Sequence, residues 1–278
     1  MNTTTPAQGT SQRPPGDCLL LEFQIMGYQA ALELQRMLVD RRKSGDTARD
    51  LLLILEHPPV FTVGRSGSLD NLLVGSAFLD ERSIEVVRIE RGGDITYHGP
   101  GQIILYPIID LRKAGIGMTE LVFGLEEIMV RTAADFGVQA ERSLSGRGVW
   151  VGSTKLGSLG LALRRGITFH GLALNVALDL TPFTWINPCG LNGVAMTSLT
   201  RQARRTVSPD QVRQRLKAHF QDFFHRRLVP APLQDILPAF GDIHESNDTP
   251  QASGSQAKLA EEEPSQLAGL RKSQHPDQ

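Results

Sequence analysis

Short apolar runs recur between residues 18 and 176, and they predict the strands of a sheet. The run at 51–55 is continuously apolar, which is typical of a strand buried on both faces. Pro107 lacks a backbone N–H, so it indicates a sheet edge or a bulge in its strand. The turn at 164–166 joins two of the strands locally. Further strands are predicted at 18–25, 84–89, 103–109, around Trp150, at 156–163 and at 167–176.

Apolar residues at helical spacing separate several of these strands. One helix is predicted over 31–38, with Gly45 just beyond its end. A second carries an apolar face over 121–129, and Thr119 is its candidate N-cap. A third follows a capping box at 208–211, with proline at its first position. Locally paired strands with helices between them favour an α+β fold, in which a mixed sheet is flanked by helices.

Composition limits the class of protein and its domain organisation. The chain has 278 residues, 40% of them hydrophobic, and a net charge of −1, which argues against a nucleic-acid partner. Its two cysteines are too few for a disulfide framework. No apolar run is long enough to cross a bilayer, and 1–16 has no apolar signal region, so we expect a soluble cytoplasmic protein without a membrane partner. Polar tails are predicted at 1–16 and 241–278, around a single folded domain at 17–240.

Three segments contain more glycine and polar residues than the fold alone requires. The first, 91–102, combines four glycines with Arg, Asp, Tyr and His, which favours a ligand-binding loop over an ordinary connection. It has neither the Gly-Lys-Ser/Thr of a P-loop nor a following helix. In the second, 152–160, Lys155 stands alone, and it either faces water or lies near a cysteine. In the third, 169–176, His170 is either a structural residue or part of a site.

Cys189 lies between Pro188 and Gly190. Proline fixes its own φ, whereas glycine can adopt a positive φ, so the backbone is rigid before the cysteine and conformationally free after it. Such a turn can present a thiol outward, although most free cysteines are small buried hydrophobes. A cation beside the thiol would stabilise the thiolate, which is the reactive form. Cys18, at the start of a predicted strand, is interpreted as structural. The spacing of histidines and cysteines predicts no metal site.

Taken together, these segments resemble the signature of the lipoyl (octanoyl) transferases. The match runs from about residue 20 to 228, and its specificity comes from four separated motifs in the order of that family. The family shares the fold of biotin and lipoate protein ligases, and its bacterial members are cytoplasmic. The motifs are 91–93 running into 96–102, 148–151 leading to Lys155, 169–176, and 187–190.

The resemblance implies a role for each motif. Cys189 would be the nucleophile that carries the acyl group as a thioester, and Lys155 would lower the pKa of Cys189. His98 and His170 are candidates for ordering the site or relaying protons. The implied substrate-binding residues are Arg91, Gly92, Gly93, Asp94, Ile95, Thr96, Tyr97, His98, Ser158, Leu159, Gly160, Gly171, Leu172 and Ala173.

The resemblance also implies the reaction and its partners. The donor would be octanoyl-acyl carrier protein, and the acceptors would be lipoyl domains of 2-oxo acid dehydrogenase E2 subunits and the glycine cleavage H protein. No cofactor or metal is expected, and a monomer is the simpler assumption. Three alternatives stay open: an ATP-dependent ligase of the same fold, a cysteine hydrolase, and a non-catalytic module that binds acyl carriers.

Overall fold

A computed structural model describes residues 16–143, 146–187 and 194–238. The predicted C-terminal tail at 241–278, and all of the predicted N-terminal tail except Gly16, lie outside this range. The strands are β1 Gly16–Ile25, β2 Asp50–Glu56, β3 Val60–Val63, β4 Glu85–Arg88, β5 Ile95–His98, β6 Gln102–Ile108, β7 Glu141–Arg142, β8 Val149–Val151, β9 Thr154–Arg164, β10 Ile167–Asn175 and β11 Arg226–Pro230. The α-helices are α1 Tyr28–Ser44, α2 Ser76–Asp80, α3 Leu111–Ala114, α4 Met118–Asp135, α5 Leu199–Ala203, α6 Pro209–Phe224 and α7 Leu233–Ile236.

Two sheets form the framework. The larger has eight strands in the order β11-β1-β2-β6-β10-β9-β8-β7, and the smaller has the order β4-β3-β5. In the larger sheet β1 pairs in parallel with β2 and β11, whereas β6 pairs antiparallel with β2 and β10. This mixed sheet with flanking helices confirms the predicted α+β fold class.

Helices cover both faces of the larger sheet. Strand β2 is buried on both sides, as its continuous apolar run predicts. Leu52 and Ile54 belong to the core that contains apolar residues of α4 and α6. Leu51 and Leu53 belong to the opposite core, which contains the apolar side of α1. The face under α1 is the one on which the candidate site lies.

Pro107 is not at a sheet edge, so that part of the prediction was wrong. It pairs with Leu52 across β2, in a central strand. On its other side the ladder between β6 and β10 ends at the pair Leu105–Leu172. The hydroxyl of Thr168 donates to the carbonyl oxygen of Pro107 over 2.7 Å. The local break in the ladder is what accommodates a residue without an N–H.

Two predicted helix caps also differ from the structure. Helix α4 begins at Met118 after Gly117, so Thr119 lies inside the first turn and is not the N-cap. Ser208 precedes α6, with proline in the first turn as predicted, but its side chain forms no capping hydrogen bond.

The predicted loop at 91–102 contains β5, because 95–98 pairs antiparallel with β3.

Candidate active site

A cleft opens between the two sheets on the α1 side of the larger one. One wall comes from β6, β9 and β10, and the other comes from the 91–94 loop and β5. The cleft is open to solvent on one side, and the space within it, counted together with its open mouth, is about 660 Å³. Its lining residues are Tyr28, Arg91, Gly92, Gly93, Asp94, Ile95, Thr96, His98, Ile104, Tyr106, Lys155, Ser158, Leu159, Gly160, His170, Gly171, Leu172, Ala173 and Met196.

The cleft brings together segments that are distant along the chain. Every implied substrate-binding residue lines it except Tyr97, and both Lys155 and His170 line it too. Tyr97 instead packs against Phe61 and Phe183 in the core of the smaller sheet, at ring-centroid distances of 5.3 and 5.6 Å. Since side chains alternate along a strand, Tyr97 faces away from the side that Thr96 and His98 present.

Cys189 lies in 188–193, outside the described residues, but both flanks of this segment can be followed. On one side the N–H of Asn187 donates to the carbonyl of Asn71 over 2.8 Å. The Asn71 amide in turn donates to the carboxylate of Asp94 over 2.6 Å. On the other side the carbonyl of Ala195 accepts from the N–H of Lys155 over 2.9 Å. Both flanks are therefore tied to cleft-lining residues.

Two glycines form part of the cleft floor. Gly160 and Gly171 pair across β9 and β10, so no side chain rises from the sheet there. The N–H of Gly92 donates to the carbonyl of Leu161 over 3.0 Å, which brings the 91–94 loop onto this bare strand. A methyl group on Gly160 would come within 3.0 Å of the carbonyl oxygen of Gly92. Close backbone approach is the reason that glycine is required here.

Lys155 is buried, with 8% of its surface exposed. A lysine in a strand usually faces water, and Lys155 does not. Its ammonium nitrogen lies 5.4 Å from the centre of the Trp150 ring, where the ring face attracts a cation. Its backbone is bracketed by the 195–197 segment, because its carbonyl accepts from the N–H of Thr197 over 2.9 Å. This pairing attaches the end of the Cys189 segment to the lysine strand.

A buried hydrogen-bond chain starts at Arg91 and enters the framework. The guanidinium donates to both oxygens of Thr62, over 2.7 Å to the carbonyl and 2.8 Å to the hydroxyl. The Thr62 hydroxyl lies 3.3 Å from Nε2 of His98, whose Nδ1 lies 2.7 Å from the side-chain oxygen of Gln102. Because that oxygen only accepts, His98 carries its proton on Nδ1 and accepts from Thr62 at Nε2.

The same chain continues to the lysine segment. The amide of Gln102 donates to the side-chain oxygen of Asn175 over 2.9 Å. The amide of Asn175 donates to the carbonyl of Thr197 over 3.0 Å. All donors point one way, from the 91–94 loop toward the residues beside Lys155. A buried chain in which each side chain is hydrogen-bonded to the next favours one arrangement of the walls.

Two further histidines lie near this chain. His57 donates from Nδ1 to the carbonyl of Met26 over 2.7 Å and accepts at Nε2 from the hydroxyl of Tyr106 over 2.8 Å. Burial lowers the pKa of His57 to about 4 and that of His98 well below its usual range. Burial also lowers the pKa of His170 to about 3. All three rings are therefore neutral at pH 7.

We expect the folded protein to lose stability as the pH falls below about 6.5. Unfolded histidines bind a proton near that pH, whereas His57, His98 and His170 stay neutral in the fold until lower pH. The stabilisation is therefore complete above pH ~6.5 and is lost as the pH falls toward the folded pKa values. Each histidine contributes up to about 1.4 kcal/mol per pH unit. Urea unfolding from pH 7.5 to 5 would measure the decrease.

The histidines and the carboxylates lose their stabilising effect in different pH ranges. Paired carboxylates such as Asp135 and Glu127 have lowered pKa values, so their stabilisation is lost only below about pH 4.5. A free energy of unfolding that stays level between pH 7.5 and 5 would contradict the assignment of three neutral histidines. A His170→Asn variant should reduce the slope, because one of the three titrating groups is gone.

Comparison with known proteins decides the family. The model of the lipoyl protein ligase A/B catalytic domain matches residues 27–221. The chain belongs to this family. It is 49% identical over 219 residues to an octanoyltransferase of Desulfotalea psychrophila, covering 78% of this chain and 98% of that one. It is 38% identical over 223 residues to an octanoyltransferase of Syntrophobacter fumaroxidans, covering 80% and 97%. The chain is accordingly an acyltransferase of protein lipoylation.

Solved structures support the lipoyl protein ligase fold. Lipoate-protein ligase A bound with ATP has a TM-score of 0.61 at 19% identity, covering 82% of this chain and 94% of that one. The bi-partite lipoate protein ligase of Thermoplasma acidophilum has a TM-score of 0.60 at 18% identity, covering 82% and 93%. At such identities the likeness establishes the fold alone.

Sequence reasoning missed part of the cleft of this family member. Tyr28, Ile104, Tyr106 and Met196 line it without having been predicted to do so. Ile104 lies within an apolar run and gives no signal. Tyr106 was detectable in principle, because a tyrosine within a buried apolar strand brings a hydroxyl that needs a partner. The chain has only three tyrosines, and two of them line the cleft.

Two further findings concern the described part of this acyltransferase. None of its helices combines the length and apolar character that crossing a bilayer requires, within 16–143, 146–187 and 194–238. Over the same ranges, no three His, Cys, Asp or Glu side chains converge in a way that could hold a metal ion.

Proposed function

We propose that this acyltransferase moves an octanoyl group from an acyl carrier protein to a specific lysine of a lipoyl domain, through a thioester on Cys189. The observation that carries the proposal is the cleft itself. Its lining includes Lys155 together with residues of the 91–98, 158–160 and 171–173 segments, Tyr97 excepted. The octanoyltransferases that match at 38–49% identity support the acyl group named here.

The proposed reaction has two acyl transfers. The thiolate of Cys189 attacks the carbonyl carbon of the donor thioester, and the carrier thiolate leaves and takes up a proton. The lysine amine of the acceptor then attacks the new thioester, forms an amide, loses a proton and releases Cys189. The first exchange trades one thioester for another, so it needs little beyond positioning and a reactive thiolate. Backbone N–H groups of the glycine-rich walls would stabilise the oxyanion.

Lys155 is proposed to act on Cys189. It is buried in the cleft, and the 195–197 segment that follows Cys189 pairs with its backbone. A cation held in a buried site stabilises a neighbouring thiolate strongly, because little water screens the two charges. The buried hydrogen-bond chain through His98 would hold the two walls in a fixed arrangement, and His170 is proposed to order the site or to relay protons. Lipoyl domains of 2-oxo acid dehydrogenase E2 subunits and the glycine cleavage H protein are the proposed acceptors, and the enzyme would act as a monomer.

Intact-protein mass spectrometry with octanoyl-acyl carrier protein tests the proposal. Without ATP and without acceptor, we expect an octanoyl adduct on Cys189 that is discharged when a lipoyl domain is added. The Cys18→Ala variant should still form the adduct, and Cys189→Ala should not, because Cys18 is buried in the core.

Three other outcomes correspond to the alternatives. Modification of the lipoyl domain only when ATP is supplied would assign the chain to the ligases. Release of free octanoate without any acceptor would indicate a hydrolase. Binding of the carrier that survives Cys189→Ala, with no covalent adduct on the unmodified enzyme, would indicate a non-catalytic module.

A further inference from the structure

One buried carboxylate lies outside the cleft lining and is connected to Lys155 through a single backbone segment. Glu126 is 5% exposed and lies on α4, which packs on the face of the larger sheet opposite the cleft. Its Oε1 accepts from the N–H of Gly148 over 2.9 Å. Burying a carboxylate costs free energy unless hydrogen bonds offset the cost. This hydrogen bond offsets part of it and fixes the backbone at Gly148.

The backbone at Gly148 lies against the side chain of Lys155. Gly148 has a φ of 111°, a conformation that favours glycine. A methyl group there would overlap the carbonyl oxygen of Gly157 and lie 3.0 Å from Cε of Lys155. Gly148 leads directly into β8, in which Trp150 pairs with Lys155 and places its ring 5.4 Å from the ammonium nitrogen. The 148–150 segment therefore packs against the outer part of the lysine side chain.

Helix α4 is itself held firmly against the lysine strand. Leu125 and Met129 belong to the core between α4 and the larger sheet. A methyl group on Gly157 would come within 2.6 Å of the Met129 sulfur, so α4 packs directly on β9 two residues from Lys155. The strand fixes only the backbone of Lys155, and the ammonium lies at the end of a flexible four-carbon chain. Its position therefore depends on the segment that Glu126 holds.

We propose that Glu126 is a positioning residue for Lys155. The inference rests on the proposed function, in which Lys155 stabilises the thiolate of Cys189, and it names the residue that keeps the lysine in place for that role. Without the acceptor oxygen of Glu126, the buried N–H of Gly148 loses its partner, the 148–150 segment shifts, and the ammonium gains other positions. Because the attraction between a cation and a thiolate falls with distance, the pKa of Cys189 would then rise.

Two substitutions separate the reach of the side chain from its charge. Glu126→Asp keeps the charge but withdraws the carboxylate by about 1.5 Å, beyond hydrogen-bond reach of Gly148. Glu126→Gln removes the charge but keeps an oxygen that can accept from Gly148. Alkylation of Cys189 by iodoacetamide across pH, on the full-length enzyme, gives the midpoint of thiolate formation. Mass spectrometry gives the initial rate of octanoyl loading.

The hydrogen bond predicts opposite behaviour for the two variants. We expect Glu126→Asp to raise the alkylation midpoint by about one pH unit and to slow loading ~10-fold at pH values below that midpoint, because each unit lowers the thiolate fraction tenfold. Glu126→Gln should keep the midpoint of the wild type and load at a rate within ~2-fold of it. A merely structural role of Glu126 would lower the free energy of unfolding without moving the midpoint of the folded enzyme.

Glu127→Asp is the matched control. Glu127 is the next residue of α4, and its carboxylate pairs with Arg131 and Arg142 instead of Gly148. Shortening this side chain by the same amount should leave both the alkylation midpoint and the loading rate unchanged.

The outcomes separate this inference from the proposed function. A folded Glu126→Asp enzyme with the wild-type midpoint and loading rate overturns the inference alone. A Glu126→Gln enzyme that is impaired as strongly as Glu126→Asp also overturns it, because the charge and not the hydrogen bond would then be responsible. No octanoyl loading by the wild-type enzyme overturns the proposed function and the inference with it. If Glu126→Asp does not fold, Glu126→Met fills a similar volume without an acceptor oxygen, and an unchanged midpoint in that variant counts against the inference.

Discussion

Replacing Lys155 with alanine is expected to slow octanoyl transfer by ~10²- to 10³-fold and to move alkylation of Cys189 to higher pH. The lysine is buried in the cleft, and the backbone segment that follows Cys189 is hydrogen-bonded to it. Without the cation, the pKa of the thiol should approach the value of about 8.5 of an ordinary cysteine. Iodoacetamide alkylation followed across pH by mass spectrometry measures this directly.

Two variants make the Lys155 experiment specific. Lys43→Ala removes an exposed lysine at the end of α1 and should change neither the transfer rate nor the alkylation profile. Lys155→Arg keeps the charge but cannot give up its proton. Partial retention of low-pH alkylation in this variant indicates a cation, whereas full loss indicates a base. An alkylation profile identical to the wild type in Lys155→Ala would refute the pairing.

Gly171→Ala is expected to destabilise the fold by about 3 kcal/mol and to abolish most acyl loading. A methyl group at this position would overlap the carbonyl oxygen of Leu105 and lie 2.8 Å from Cδ of Pro107. Both residues belong to β6, the neighbouring strand at the centre of the larger sheet. Because a backbone carbonyl cannot rotate away as a flexible side chain can, β6 and β10 must separate. Urea unfolding and octanoyl loading would measure the two effects.

Gly117→Ala is the control for this substitution. Gly117 precedes α4 with a φ of −88°, and a methyl group there would meet nothing within 4 Å. The change should alter the free energy of unfolding by no more than about 0.5 kcal/mol. Equal stabilities of the two alanine variants would mean that the sheet has room at Gly171, contrary to the geometry described above.

Much of the fold was predictable from local pattern. The apolar run at 51–55 is buried on both faces because it lies between α1 on one side and α4 and α6 on the other. Helical spacing located α1, α4 and α6, since an amphipathic stripe must pack against the sheet. The errors in helix capping arose at polar residues. Thr119 and Ser208 are suitable caps by residue type, but their side chains make no capping bond.

The candidate site was predictable to the extent that its residues lie in motifs. The 91–98, 158–160 and 171–173 segments were named from their sequence, and all but Tyr97 line one cleft. The exception, Tyr97, lies on β5, a strand that was not predicted because 91–102 is rich in glycine. Its side chain packs into the core of the smaller sheet. Cys189 remains a prediction, because 188–193 lies outside the described residues.

The sequence by itself determined the alternation of strands and helices, the burial of β2 and the motif order that indicates the family. These properties depend on neighbours along the chain, which a linear pattern records. Only the tertiary structure decided that Lys155 is buried beside Trp150, and that Pro107 lies in a central strand at a break in its ladder. It also decided that Tyr28 and Tyr106 line the same cleft as His170. The position of Pro107 and the shared cleft arise where elements distant in sequence meet, and pairing partners are set by the whole fold.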